Sequence, residues 1–263
     1  MGAAGVALRD FGGSLLRLPL AFQLALDDLS SRYRRTVLGP LWIALGQGAT
    51  ILAFVVVFSG LFRMEPREYA PYLAAGFPAW TLLSTFLSDM PHAFINSRGY
   101  LESYEVPWLT HIWRRSLSYM LVFFHQLITL FVVMAILGIQ PNTYMLMAIP
   151  AVAIVMVAGT GAGIFLAVAG ARYRDLQPAM VILSGFLFLF TPVIWHTRQL
   201  PVDVQWAYQY NPAYYMLTLL RDPLVGQPVA SEIWLIACCV AIGFLLLGLV
   251  TFVATRRRLY YWL

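Results

Sequence analysis

Lysine is absent from this chain of 263 residues; all 17 basic residues are arginine. Without lysine there is no GxxxxGK[ST] phosphate-binding loop, so the chain cannot be a self-sufficient P-loop ATPase. Gly159-Thr160-Gly161-Ala162-Gly163 superficially suggests a nucleotide loop. It sits in the middle of an apolar run with no strand before it, so close helix packing through Gly159 and Gly163 is the expected role. Cysteine is scarce too: Cys238 and Cys239 are neighbours inside an apolar run, form no metal or redox spacing, and are expected only to pack. Charge is the third shortage. Charged residues make up 11% and hydrophobic residues 60%, where a soluble globular domain carries about 25% charged residues. The mean hydropathy of +0.74 agrees, and a soluble globule is excluded. Asp10, Gly12 and Gly13 interrupt the N-terminus before any long apolar core, so no signal peptide is expected. Val6 stands where N-myristoylation needs Ser or Thr.

Long hydrophobic runs are what the chain has instead. They cover roughly Leu41–Phe62, Tyr72–Ile95, Ser116–Gly138, Tyr144–Gly170, Pro178–Trp195 and Ile233–Ala254. Each is near the ~20 residues that a helix needs to cross ~30 Å of hydrocarbon. Six spans put both ends of the chain on one side. Arginine chooses the side. Arg9, Arg17, Arg32, Arg34 and Arg35 precede the first run; Arg98, Arg114 and Arg115 follow the second; Arg172 and Arg174 follow the fourth. Arg256, Arg257 and Arg258 close the chain, and only Arg63, Arg67, Arg198 and Arg221 fall in the opposite loops. Basic residues stay in the cytoplasm, so both termini are expected there. The formal charge of +5 follows this topology and suits anionic lipid at the cytoplasmic surface better than nucleic acid.

The pieces between the runs have their own patterns. In Pro19–Arg35, Phe22, Leu26, Leu29 and Tyr33 form one apolar stripe, with Gln23, Asp27, Ser30 and Arg34 on other faces. That predicts a helix lying in the membrane surface, ahead of a cytoplasmic helix packed on its own protein. The second loop, Asn96–Arg115, mixes Glu102 and Glu105 with Arg98, Arg114 and Arg115. Gly99–Glu105 has room for two helical turns before Pro107. The segment reads either as solvated or as a docking element for a cytoplasmic partner. In Ala171–Pro178, Asp175 is within reach of Arg172 or Arg174. The fifth loop, His196–Ser231, is about 36 residues long and holds Trp206, Tyr208, Tyr210, Tyr214 and Tyr215. Pro201–Tyr210 and Pro212–Leu220 each resemble a short proline-opened helix, with Asn211 as N-cap of the second. Neither is long enough to span, which favours an interfacial or re-entrant placement. Inside the spans, Asp89, His92 and His125 are functional candidates by position. One midspan histidine without paired carboxylates is a poor proton relay, so an interhelical hydrogen bond or the lining of a water-filled path is favoured for His125.

Several of these segments, in order, carry a resemblance. They are Ser31-Arg32-Tyr33-Arg34-Arg35-Thr36-Val37-Leu38-Gly39-Pro40-Leu41-Trp42, then Asn96-Ser97-Arg98-Gly99-Tyr100-Leu101-Glu102 with Pro107. Ala171-Arg172-Tyr173-Arg174-Asp175-Leu176, Thr191-Pro192-Val193 and Asn211-Pro212 with Arg221 complete the set. Together they resemble the membrane subunit of type 2 ABC exporters, more closely the permeases that export O-antigen and related lipid-linked polysaccharides. The match covers nearly the whole chain. RYRR-x-x-LGPLW and ARYRDL are specific together, whereas Asn-Pro alone is weak.

The fold expected is an all-α integral membrane protein of six transmembrane helices, with an N-terminal amphipathic interface helix and short external re-entrant helices before the last span. It forms one domain over 1–263: a cytoplasmic arm and interface helix at 1–40, spans over 41–254, an external gate loop at 196–231 and a cytoplasmic tail at 255–263. The resemblance implies a homodimer in the cytoplasmic (inner) membrane with two separate ATPase subunits below. ATP and Mg would then sit on the partner, with no cofactor or metal on this chain, and this subunit is a transporter rather than an enzyme. It also implies that the N-terminal amphipathic helix and second loop contact the ATPases, which makes Arg98, Tyr100, Glu102 and Glu105 the coupling candidates. Tyr100–Glu105 is more acidic than the coupling segments of some relatives. It implies as well that the fifth loop folds back as paired gate helices.

Export of a glycan fits the residues. Sugars stack C–H faces on aromatic rings, and the chain has 8 Trp, 14 Tyr and 17 Phe; many of these are interface belts. Trp206, Tyr208, Tyr210, Tyr214 and Tyr215, fixed by Asn211, are the external candidates for glycan contact. A polyprenyl pyrophosphate carrier would hold its anionic head near Arg32, Arg34 and Arg35, by charge-assisted bidentate bonds. Anchoring to ordinary anionic lipid is the competing role for each arginine. A type 2 permease for teichoic acid, capsule or a drug remains an alternative. A secondary transporter or intramembrane enzyme is a further one, although neither paired intramembrane acids, a metal cluster nor inverted repeats are found.

Overall fold

The computed structural model describes residues 3–99 and 106–262, and every regular element among them is helical. The order is α1 (Ala3–Leu16), α2 (Leu18–Arg32), α3 (Leu41–Phe62), α4 (Pro66–Asp89) and the short α5 (Ala93–Asn96). Then come α6 (Leu109–Leu137), α7 (Ala148–Arg172), α8 (Leu176–Phe190) and the single turn α9 (Trp206–Gln209). The chain closes with α10 (Pro212–Leu224), α11 (Ser231–Thr255) and the single turn α12 (Leu259–Trp262).

Among the described residues four helices, α3, α6, α7 and α11, are long and apolar enough to cross a membrane. They coincide with the first, third, fourth and sixth hydrophobic runs. The other two runs form helices of a different kind. In α4, Pro71 and Pro78 lie inside the helix and Glu68 in its first turn. The 15 residues of α8 rise only ~22 Å, short of the ~30 Å core.

Local chemistry sets the boundaries. Pro66 opens α4 at a position where no backbone N–H is needed. Gly138, at φ +67°, ends α6 in the left-handed region that only glycine enters without steric cost. Between α2 and α3 the chain turns a hard corner. Arg35 adopts a left-handed φ of 69°. The Thr36 hydroxyl donates to Tyr33 O at 2.8 Å and accepts from Gly39 N–H at 3.1 Å. Gly39, at φ +56°, and Pro40 then launch α3. Much of the RYRR-x-x-LGP pattern is therefore corner geometry.

The centre of the bundle is held by close backbone approach and a few interhelical hydrogen bonds, the forces that remain where lipid tails are as apolar as leucine. Gly161 of α7 meets the backbone at Leu245 of α11, and Gly248 of α11 meets the Gly161 carbonyl. Gly159 faces the Phe86 ring, Gly163 faces Met90, and Gly170 touches the Pro91 carbonyl. The glycine-rich run thus packs helices, as its surroundings indicate. Thr160 Oγ1 donates to Ser116 Oγ at 2.9 Å between α7 and α6, and Thr129 Oγ1 donates to Ala44 O at 2.8 Å between α6 and α3. His125 Nδ1 lies 2.8 Å from Leu121 O, so its hydrogen bond stays within its own helix and is not the interhelical one expected.

A paired substitution separates packing from propensity. Gly161→Ala is expected to force α7 and α11 apart at a cost of about 1–3 kcal/mol. Gly243→Ala, on α11 with nothing within 4 Å of its added Cβ, is expected to be neutral or stabilising by up to about 1 kcal/mol. Thermal unfolding of the two purified variants in detergent reads the difference; equal midpoints would contradict the packing.

Candidate functional site

Two polar assemblies sit at opposite ends of the bundle, and a cavity opens between α2, α4 and α6. At the arginine-rich end, Asp10 of α1 is 7% exposed. Its carboxylate accepts from the backbone N–H of Trp108 and of Leu109, each at 3.2 Å, which caps the start of α6. It also accepts from Arg256 Nε at 3.0 Å, and Arg256 lies over the Trp108 ring at 4.5 Å. One carboxylate thereby joins the first helix, the second loop and the tail. Arg172 of the ARYRDL segment lies over the Tyr173 and Trp262 rings at 5.2 and 5.3 Å. Asp175 pairs with neither neighbouring arginine among the described residues, so the expected ion pair is replaced by ring stacking.

The amphipathic helix α2 packs against α6 through Ala21, Ala25 and Leu29, all buried, and through Asp28, which pairs bidentately with Arg114. Phe22 and Leu26, two members of the expected apolar stripe, point away at 40% and 38% exposure. The expected stripe is divided: Leu29 is packed on protein, as in the reading of a helix docked on its own chain, while Phe22 and Leu26 face outward. The helix α1 before it was not anticipated.

The cavity has a volume of about 480 Å³. From α2 come Asp28, Leu29 and Arg32; from α4 come Thr81, Leu82, Thr85 and Asp89. One face of α6 supplies Arg114, Arg115, Ser118, Tyr119, Val122 and Gln126. At 1.5 Å per residue, the step from Arg114 to Gln126 runs ~18 Å along the helix. Asp89 accepts from both Arg115 and the Tyr119 hydroxyl, so this near-span acid is neutralised by a partner across the cavity wall. Arg32 carries no carboxylate partner among the described residues.

At the opposite end the fifth loop is buckled onto α4. Arg221 of α10 is 6% exposed. It donates to the Tyr72 hydroxyl at 2.7 Å and to Pro192 O at 2.6 Å, and it pairs with Asp222 at 2.8 Å. Its guanidinium lies 4.4 Å from the Tyr72 ring centroid. The Tyr72 hydroxyl is also 2.8 Å from Trp195 O. Asn211 caps α10 by accepting from Ala213 N–H at 3.0 Å, and its amide donates to Thr191 Oγ1 at 2.9 Å. Gly76 lets α4 approach the Val193 carbonyl. Thr191-Pro192-Val193, Asn211-Pro212 and Arg221, separate in sequence, therefore form one structure. The His196 ring lies against Tyr72, tilted by 37° with centroids 3.8 Å apart. Burial, with Arg221 and Arg198 nearby, pushes its imidazole down to about 4, so it adds no second cation beside Arg221 at neutral pH.

The expected site residues divide on this frame. Arg32 lines the cavity, whereas Arg34 and Arg35 are exposed on the α2–α3 corner. Arg98 is exposed near the arginine-rich end; Tyr100, Glu102 and Glu105 lie outside the described residues. In the fifth loop, Tyr208 and Tyr214 rings are 4.8 Å apart and Tyr214 and Tyr215 are 5.0 Å apart, one aromatic cluster. Trp206 and Tyr210 stand free at 60% and 85% exposure. The expected helix over Pro201–Tyr210 is broken into a 3-10 turn at Val202–Val204 and α9. Tyr72, Tyr119 and Gln126 were not singled out from sequence, and Asp10 only as a break in the N-terminus; Asp89 carried a signal as an ionisable group in an apolar run, and Arg221 as part of the resembling set.

These features define a multi-pass helical membrane protein. The chain belongs to the ABC-2 type transporter family, whose model matches residues 20–225. It is similar to an O-antigen export system permease protein RfbA of Klebsiella pneumoniae, at 25% identity over 241 residues, covering 88% of this chain and 90% of the relative. A second protein of that name from the same organism is 24% identical over 213 residues, covering 78% and 80%. The family match runs from α2 to the end of α10, so it takes in the corner, the cavity and the buckle.

Proposed function

We propose that this chain is the membrane permease subunit of an ATP-driven exporter that moves lipid-linked, O-antigen-like polysaccharide across the cytoplasmic membrane. The observation that carries the reading is the similarity to O-antigen export permeases along most of both chains. In this reading α4 and α8 cross the membrane with the four apolar helices, and both termini are cytoplasmic, as the arginine asymmetry requires. Two copies form the pathway and two separate ATPase subunits supply ATP and Mg. The arginine-rich end, with α1, α2 and the second loop, is the coupling surface; Arg98, Tyr100, Glu102 and Glu105 belong to it. Arg32, Arg34 and Arg35 meet the polyprenyl pyrophosphate head, with Arg32 the one set into the cavity. The fifth loop is the external re-entrant gate. Its buried Tyr208 with the half-buried Tyr214 and Tyr215 seals, and its exposed Trp206 and Tyr210 offer stacking faces to the emerging glycan, while Asn211 holds α10 in register.

The purified chain alone is expected to turn over no ATP. With its ATPase added, lipid-linked glycan is expected to stimulate hydrolysis above the basal rate, and charge loss at Arg32 to reduce the stimulated rate more than the basal one. Steady hydrolysis by the lone chain, or indifference of the complex to the glycan, would overturn the proposal.

A further inference from the structure

The cavity between α2, α4 and α6 holds more than an anion site needs. Its volume of about 480 Å³ falls in the roughly 300–1,000 Å³ range of small-molecule sites. Two of its three arginines are already matched: Arg114 by Asp28 and Arg115 by Asp89. A phosphate dianion inside would face both carboxylates with one unmatched cation, Arg32. The decisive group is Gln126. It is 6% exposed, and its Oε1 is buried with no hydrogen-bond partner among the described residues. An unsatisfied buried acceptor is destabilising, and a fully ionised phosphate cannot relieve it, since it has no proton to give. A hydroxyl can. Thr85, Ser118 and Tyr119, whose hydroxyl protons go to Thr81 O, Arg114 O and Asp89, add further acceptors along the wall. Leu82 and Val122 line the same cavity with apolar surface suited to a C–H face.

Resting on the export reading, we propose that this cavity takes a single pyranose unit borne on a lipid: the sugar next to the carrier of the exported glycan. Gln126 accepts from one ring hydroxyl, and the Asp89–Arg115 pair meets a vicinal pair of hydroxyls. Arg32 stays at the mouth, where the carrier's charged head lies.

The test uses the permease–ATPase complex in lipid nanodiscs, with Cys238→Ser and Cys239→Ser and a reporter at Ser118→Cys. The rate of maleimide alkylation is followed with octyl glycosides of glucose, galactose, mannose and N-acetylglucosamine, each below its micelle concentration. The matching methyl glycosides and farnesyl pyrophosphate are the comparison probes. At least one octyl glycoside is expected to slow alkylation fivefold or more, with its methyl counterpart and farnesyl pyrophosphate much weaker. Gln126→Leu and, independently, Thr85→Val are expected to remove the protection while leaving the unprotected rate unchanged. Protection by no octyl glycoside, or stronger protection by farnesyl pyrophosphate, would overturn the sugar site. Equal protection by methyl glycosides would overturn the lipid-borne source. Export measured on the same preparation keeps the two readings apart: export without protection removes the cavity proposal alone, and protection without export removes the export reading.

Discussion

Arg221→Ala is expected to be the most damaging single substitution in the chain. The guanidinium holds three partners at once: the Tyr72 hydroxyl, the Pro192 carbonyl and Asp222. Removing it leaves the Asp222 carboxylate uncompensated and takes a donor from the Tyr72 hydroxyl and the Pro192 carbonyl, which keep the bond between them, and loss of one member of a buried pair typically costs about 3–5 kcal/mol. Since whole domains are stable by only about 5–15 kcal/mol, the fifth loop should detach from α4 before the bundle melts. Protease cleavage within His196–Ser231 should accelerate sharply, and the unfolding midpoint should fall. Arg221→Lys should recover only part of the loss, because lysine keeps the charge but not the planar fork that reaches several acceptors. Wild-type protection in Arg221→Ala would mean that the buckle does not hold the loop.

The second large effect is expected at Asp10, on the other end. Asp10→Ala removes the cap from α6 and leaves Arg256 without its carboxylate. A lost cap alone costs about 0.5–2 kcal/mol. The unpaired arginine, whose side chain is 17% exposed, raises the expected total to about 2–4 kcal/mol. Asp10→Asn keeps an acceptor for the cap and should lose about half as much. A double-mutant cycle with Arg256→Ala isolates the pair; if the two losses simply add, the clasp carries no coupling. On the export reading proposed above, loss of the clasp, which joins α1, the second loop and the tail, should also weaken association with the ATPase partner.

Much of this fold was legible from periodicity and charge. The four spans at α3, α6, α7 and α11 follow from runs of apolar residues, and Asn211-Pro212 announced the start of α10 by its capping chemistry. The glycine run at 159–163 was readable as packing because it lay inside an apolar stretch. What was not legible depends on contacts far apart in sequence. Asp10 and Arg256 lie at opposite ends of the chain, and nothing local marks either as a partner. Arg221 stood out in sequence only as one of four arginines on the opposite side and as a member of the resembling set; its approach to Tyr72 and Pro192 is what makes it a structural centre. Helix α1 escaped because its glycines and mixed polarity weaken the periodic signal. The aromatics of the fifth loop were recognisable as a group, but their split into a packed cluster and two free rings is a matter of burial.

The central claim is ATP-driven movement of a lipid-linked glycan, and it is tested most directly in proteoliposomes. The permease and its ATPase are reconstituted with the lipid-linked glycan, and the glycan facing the side away from the ATPase is counted by its access to an added glycosidase. Glycosidase-accessible glycan should rise with time when ATP and Mg are supplied on the ATPase side, and should stay at background with a non-hydrolysable analogue or with Arg221→Ala. Accessibility that rises equally without ATP, or that never rises with it, would contradict the account.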